Sequence, residues 1–122
     1  MKPIFVIFFC LGAGVLTSCD AINPVACTLE FRTVSLEVIG GNLDQTYTIQ
    51  DNGDTVLSSK DTLLNNFYTV LDDSFQEQLE GEVENFRFVG LIGDSVVVDE
   101  AYEIGADECH IFKESGATSV TL

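Results

Sequence analysis

The single histidine, His110, and four cysteines, Cys10, Cys19, Cys27 and Cys109, are the side chains of this 122-residue chain best suited to chemistry near neutral pH. A Ser-His-Asp or Cys-His nucleophilic site would have to use His110. Cys109 is its neighbour, but consecutive residues on a strand point to opposite faces, so thiol and imidazole are poorly placed to meet. We favour a local structural role for His110, bonded to a residue such as Asp107. Zinc asks for three or four Cys, His or carboxylate ligands, and His110 with Asp107 and Glu108 falls short. Calcium takes oxygens alone, and Asp51, Asn52 and Asp54 could line one loop, Asp72 and Asp73 another. Neither set has the EF-hand spacing, and both read as turn chemistry. With twenty acids in the chain, paired carboxylates arise without meaning. No tryptophan is present to line a sugar cleft, and Gly90, Gly93 and Gly105 lack phosphate-loop spacing. The sequence therefore assigns no catalytic residue, no metal and no cofactor, and reads as a non-enzyme.

The cysteines divide once the start of the chain is considered. Residues 1–19 read MKPIFVIFFCLGAGVLTSC. Lys2 supplies a short positive segment, and Ile4 to Leu16 form an apolar run of thirteen residues, too short to span a bilayer and suited to a signal peptide. The segment ends Leu16-Thr17-Ser18-Cys19: an aliphatic residue, two small residues, then a cysteine. It resembles the lipobox of bacterial lipoproteins. The resemblance implies that residues 1–18 are a signal peptide removed by cleavage before Cys19, and that the Cys19 thiol takes a diacylglycerol. The new amine is usually acylated too in that family. Cys10 lies within the apolar run, lacks small residues before it, and leaves with the leader. Two or more acyl chains anchor stably, at roughly 0.8 kcal/mol per buried methylene. Asp20 follows the anchor; in some Gram-negative bacteria an aspartate there retains a lipoprotein in the inner membrane, but the rule does not transfer between phyla. Both membranes stay open, with the outer one preferred. Residues 19–26 are the lipidated N-terminus and a short tether stiffened by Pro24.

On that reading two thiols remain, in an exported and oxidising compartment, so Cys27 and Cys109 are expected to form a disulfide closing a loop of about 83 residues. The charge agrees with a lipid rather than a protein attachment. All twenty acids lie after Cys19 and only four of the five bases do, so the mature chain carries −16. Such a surface repels nucleic-acid phosphates and anionic lipid head groups alike, and contains no basic patch. We expect no nucleic-acid partner, membrane contact through the N-terminal lipid, and an envelope protein or glycan as the partner of the folded part.

The elements that must carry these residues are short and β-rich. In residues 28–39, TLEFRTVSLEVI, Leu29 and Phe31 share one parity and Val34, Leu36 and Val38 the other, so a bulge or sheet switch is expected near Thr33. Residues 46–50 alternate as a strand, Asn52-Gly53 predicts a type I′ hairpin, and Thr55-Val56-Leu57 continue it. Residues 61–80 can be read two ways. Leu63, Phe67, Leu71, Phe75 and Leu79 recur as on a helix stopped by Gly81, yet Phe67 to Leu71 also read as a strand; we favour the strand, with a turn of helix in 74–79. Strands follow at 83–91, 95–104 and 108–113, and Ser115-Gly116 turn into 118–122. About seven strands in one domain, residues 27–122, predict an all-β antiparallel sandwich.

The run from Phe86 to Gly116 resembles the C-terminal part of small envelope lipoproteins with a transthyretin-like, carboxypeptidase-regulatory-like sandwich, an immunoglobulin-like architecture. The residues that carry it are Ile104-Gly105-Ala106-Asp107-Glu108-Cys109-His110 and Ser115-Gly116. It implies a binding or accessory role and brings no catalytic residues. The expected function is a lipid-anchored, non-catalytic binding or structural module of the cell envelope. The alternative is a carrier of a small ligand or cation, such as calcium, on the loops at one end of the sandwich.

Overall fold

Strand β1, Thr33–Ile39, is built by alternation: Val34, Leu36 and Val38 are buried while the residues between them face outward. The computed structural model to which it belongs describes residues 27–58, 60 and 65–122. The expected signal peptide 1–18, with Cys10, and the lipidated tether 19–26, with Cys19, lie outside the described residues, as do residues 61–64. The further strands are β2 (Gln45–Ile49), β3 (Thr55–Leu57), β4 (Phe67–Asp72), β5 (Val83–Ile92), β6 (Ser95–Ala106), β7 (Ile111–Ser115) and β8 (Ser119–Thr121). A 3-10 turn at Asp73–Phe75 and a one-turn helix α1, Gln76–Leu79, separate β4 from β5.

The strands form two sheets, a three-stranded one in the order β4-β1-β8 and a five-stranded one in the order β3-β2-β5-β6-β7. The protein is thus an all-β sandwich, as the alternating segments predict. One pairing departs from the antiparallel plan: β8 lies parallel to β1, Val120 opposite Val38. Between the sheets lie Leu36, Val38, Val70, Phe88, Tyr102 and Ile104, each almost completely buried, with Leu79 of α1 closing one end. Full burial of side chains of this size contributes about 1.5–3 kcal/mol apiece.

Two polar bonds cross the sandwich. The buried Thr48 hydroxyl on β2 donates to the Val70 carbonyl on β4 at 2.6 Å, and the Leu43 N–H donates to the Tyr68 hydroxyl at 2.9 Å. Both partners are satisfied, so the polar groups add register without an unpaired cost.

The described part of the segment 61–80, residues 65–80, takes the favoured reading: β4 as a strand, then a single helical turn, with Gly81 at φ +77° ending it. The Asn-Gly hairpin forms, but its turn is not type I′. That type needs positive φ at both central residues, and among the described residues positive φ occurs at glycines alone, here Gly53 at +94°. The Gly53 N–H donates to the Gln50 carbonyl at 2.9 Å, and Gly53 then supplies the left-handed bulge residue that lets β3 return along β2.

The phase change near Thr33 coincides with the start of β1 and with a bulge, as expected: the register with β4 shifts between Val34, opposite Leu71, and Ser35, opposite Thr69. Residues 27–32 run as an irregular, exposed segment before β1. At the other end, Ser115-Gly116 turn as expected. Gly116 has φ +136°, and a Cβ there would run into the Tyr102 ring, whose hydroxyl donates to the Ala117 carbonyl at 2.6 Å.

Candidate functional site

The residues singled out for chemistry converge at the end of the sandwich where β4 leaves the three-stranded sheet and β7 enters the five-stranded one. Between β6 and β7 the chain makes a tight loop organised by Asp107. Its Oδ1 accepts from the Cys109 N–H at 2.8 Å and the His110 N–H at 2.9 Å, and its own N–H donates to the His110 carbonyl at 3.0 Å. This side-chain-closed turn is why β7 begins at Ile111 and not at Glu108. It presents Cys109 outward to Cys27 and turns the His110 ring inward. Cys27 and Cys109 stand at disulfide-bonding distance, with Cα atoms 5.3 Å apart.

His110 is held by two side chains from other parts of the chain. Its Nδ1 lies 2.7 Å from Asp73 Oδ2, and its Nε2 lies 2.8 Å from Thr28 Oγ1. Opposite the Asp73 carboxylate, which can only accept, Nδ1 carries a proton and donates it to Oδ2. The ring and the Asp73 carboxylate are 9% and 8% exposed, so the pair is buried beneath the loop. Asp107 therefore contacts the His110 backbone, while the imidazole belongs to Asp73.

Asp73 does more than hold the ring. Its Oδ2 also accepts from the Arg32 N–H at 2.8 Å, its Oδ1 accepts from the Ile111 N–H at 2.8 Å, and its own N–H donates to the Arg32 carbonyl at 3.0 Å. One carboxylate thus joins the lead-in to β1, the start of β7 and the end of β4. Burial pushes its pKa up, but the Arg32 and Ile111 N–H groups and the His110 ring outweigh that and hold it below the ordinary value. Asp107 is also lowered, by the His110 and then the Cys109 N–H. On the outside, Glu30 and Arg32 pair at 2.9 Å, which lowers the one and raises the other.

The row Asp73–His110–Thr28 has the carboxylate–imidazole–hydroxyl order of nucleophilic hydrolases. The same Asp73 oxygens bind backbone N–H groups that close the fold, and the Thr28 hydroxyl lies within 3.3 Å of Glu30 as well, an anion beside the position where negative charge would develop. The geometry fits a fastening better than a reaction centre. A shallow groove beside it is lined by Glu30, Phe31, Arg32, Val34, Ile111 and Lys113.

Comparison with protein-family models, with curated proteins and with solved structures returns no match. The reading of this site therefore stands on its chemistry.

The remaining acidic clusters are turn-forming, as their types suggest. Asn52 Oδ1 accepts from the Asp54 N–H at 2.9 Å; Asp72 Oδ1 accepts from the Ser74 N–H at 2.9 Å and from the Ser74 hydroxyl. Among the described residues no group of three or more His, Cys, Asp and Glu is placed to hold a metal ion, and no helix is long and apolar enough to cross a membrane. Sequence reasoning grouped Asp73 with Asp72 and passed over Thr28. The doublet holds a faint signal: one aspartate suffices to cap the turn, which leaves the second free for another partner.

Proposed function

We propose that this protein is an exported lipoprotein, lipidated at Cys19 and cleaved before it, whose β-sandwich serves as a non-catalytic binding or structural module on the surface of an envelope membrane. The observation that carries the proposal is Leu16-Thr17-Ser18-Cys19 at the end of a leader of signal-peptide length. The pairing distance between Cys27 and Cys109 supports it, because disulfides persist in exported proteins. So does the surface of the domain, which is strongly acidic and unsuited to adhering to anionic lipid by itself. A hollow lies on the outer face of the five-stranded sheet, among Ile49, Asn85, Arg87, Ala101, Glu103 and Ser115. It is open and of mixed polarity, a surface suited to contact with a protein or glycan.

Metabolic labelling with an alkyne-tagged fatty acid tests the anchor. The wild-type protein is expected to take the label and Cys19→Ser to lack it; an unlabelled wild type would remove the basis of the proposal. The non-catalytic half is tested with activated acetate and butyrate esters. Ester turnover by the folded protein that is lost together in Thr28→Val and His110→Gln would replace this reading with a hydrolase built on Thr28, His110 and Asp73.

A further inference from the structure

Residues 27–32 stand apart from the rest of the domain in how they are held. Every one of them is exposed, Leu29 fully and Phe31 at 64%, and the first buried side chain among the described residues is Val34. The segment therefore contributes no side chain to the core. It is kept in place by polar and covalent bonds: the Cys27–Cys109 pair at its first residue, the Thr28 hydroxyl on His110, and the two backbone bonds between Arg32 and Asp73. Beyond Arg32 the chain enters β1 and is zipped to β4 from Thr33 opposite Asp72.

We infer that residues 27–32 are a strap fastened by the Cys27–Cys109 disulfide and the Asp73–His110–Thr28 row, and that reduction of the disulfide releases it and lengthens the tether of the domain. Cys27 is exposed and open to thiol–disulfide exchange. The thiolate of a dithiol reductant attacks Cys27 Sγ, forming a mixed disulfide and releasing the Cys109 thiolate, which takes up a proton. The second thiol of the reductant then displaces Cys27 Sγ, leaving two cysteine thiols and an oxidised, cyclic reductant. What then holds the strap is a few part-exposed hydrogen bonds. The sandwich does not depend on it: β5 and β6 pair over ten positions, with Phe88, Tyr102 and Ile104 buried beneath them, and the strap touches none of that register. Six freed residues add up to about 20 Å of reach at 3.3–3.6 Å each. That this reach is measured from a membrane rests on the proposed lipid anchor at Cys19; the release of the strap does not.

Limited trypsinolysis of the full-length protein in detergent reads the release directly. The bases of the described chain are Arg32, Lys60, Arg87 and Lys113, so the cleavage map is simple. In the fastened state the Arg32 backbone is bonded to Asp73 on both sides, whereas Arg87 lies within the β5 pairing. Dithiothreitol is expected to accelerate cleavage after Arg32 at least tenfold while leaving cleavage after Arg87 unchanged, and His110→Gln is expected to accelerate the Arg32 cut further in the reduced protein. An Arg32 rate insensitive to reduction would overturn the inference, as would Arg32 and Arg87 accelerating together, the mark of global unfolding. Neutron reflectometry of the same protein in a supported bilayer tests the reach. The domain layer is expected to move outward by on the order of 10 Å on reduction. An unmoved layer with a faster Arg32 cut would overturn the lengthening, and a protein that never enters the bilayer would instead refute the anchor while the strap stands.

Discussion

Asp73 is the residue on which most of the end of the sandwich depends. Its carboxylate accepts the Arg32 and Ile111 N–H groups and the His110 ring together. Asp73→Ala leaves the exposed Arg32 N–H and the part-buried Ile111 N–H and His110 ring without this partner, at about 1–3 kcal/mol for each that water cannot reach. We expect a loss of about 2–4 kcal/mol in chemical denaturation, with the protein still folded. Asp73→Asn keeps one carbonyl acceptor and is expected to lose less. The two variants also separate in pH dependence. The native Asp73 carboxyl stays ionised below the pH at which an unfolded aspartate, near 3.8, takes up its proton. Its contribution is therefore complete above about pH 4 and is lost as the pH falls through the lowered native value. Asp107, lowered by its two N–H donors, acts in the same sense. The wild type is expected to lose stability steeply on acidification below pH 4, and Asp73→Asn less steeply; parallel curves for the two would show that Asp73 is not held in its charged form.

Among the elements, the sheets were legible because a two-residue period is written directly into β1, β2, β5 and β6, where one face is buried and the other is wet. Phe86 and Phe88 were expected on one side of β5, and both are buried. The misreadings also have physical causes. Leu29 and Phe31 look like a strand face, but β4 ends opposite Thr33 and β8 reaches only Glu37–Ile39, so an extended segment at 28–32 finds no neighbour to pair with. The His110 partners were illegible because Asp73 and Thr28 lie 37 and 82 residues away, and no local spacing marks such a contact. Two substitutions test how the elements are joined. Thr48→Val keeps the shape and removes the bond from β2 to the Val70 carbonyl across the core. It is expected to cost about 0.5–1.5 kcal/mol in thermal or chemical unfolding, and no loss would mean that the hydroxyl does not tie the sheets. Gly116→Ala places a methyl group against the Tyr102 ring in a backbone conformation that alanine avoids. A loss of about 1–3 kcal/mol is expected, larger than for Thr48→Val.

At the scale of the molecule, charge and attachment make a single prediction. Under the proposed cleavage before Cys19 the chain carries −16 and is pushed away from an anionic bilayer over roughly the 8–10 Å of a Debye length at physiological salt. The proposed tether of residues 19–26 is long enough to hold the domain beyond that range. Under this proposal the lipid supplies the whole of the attraction and the domain a repulsion that salt weakens. Cys19→Ser should therefore leave the membrane fraction entirely, and raising the salt should not recover it, because screening removes a repulsion without creating a bond. The wild type should resist extraction by salt and by alkaline carbonate and yield to detergent. A Cys19→Ser protein that still sediments with membranes and is released by salt would place the attachment on the folded surface, through a protein partner, and would make the exposed face of the five-stranded sheet the first place to look for it.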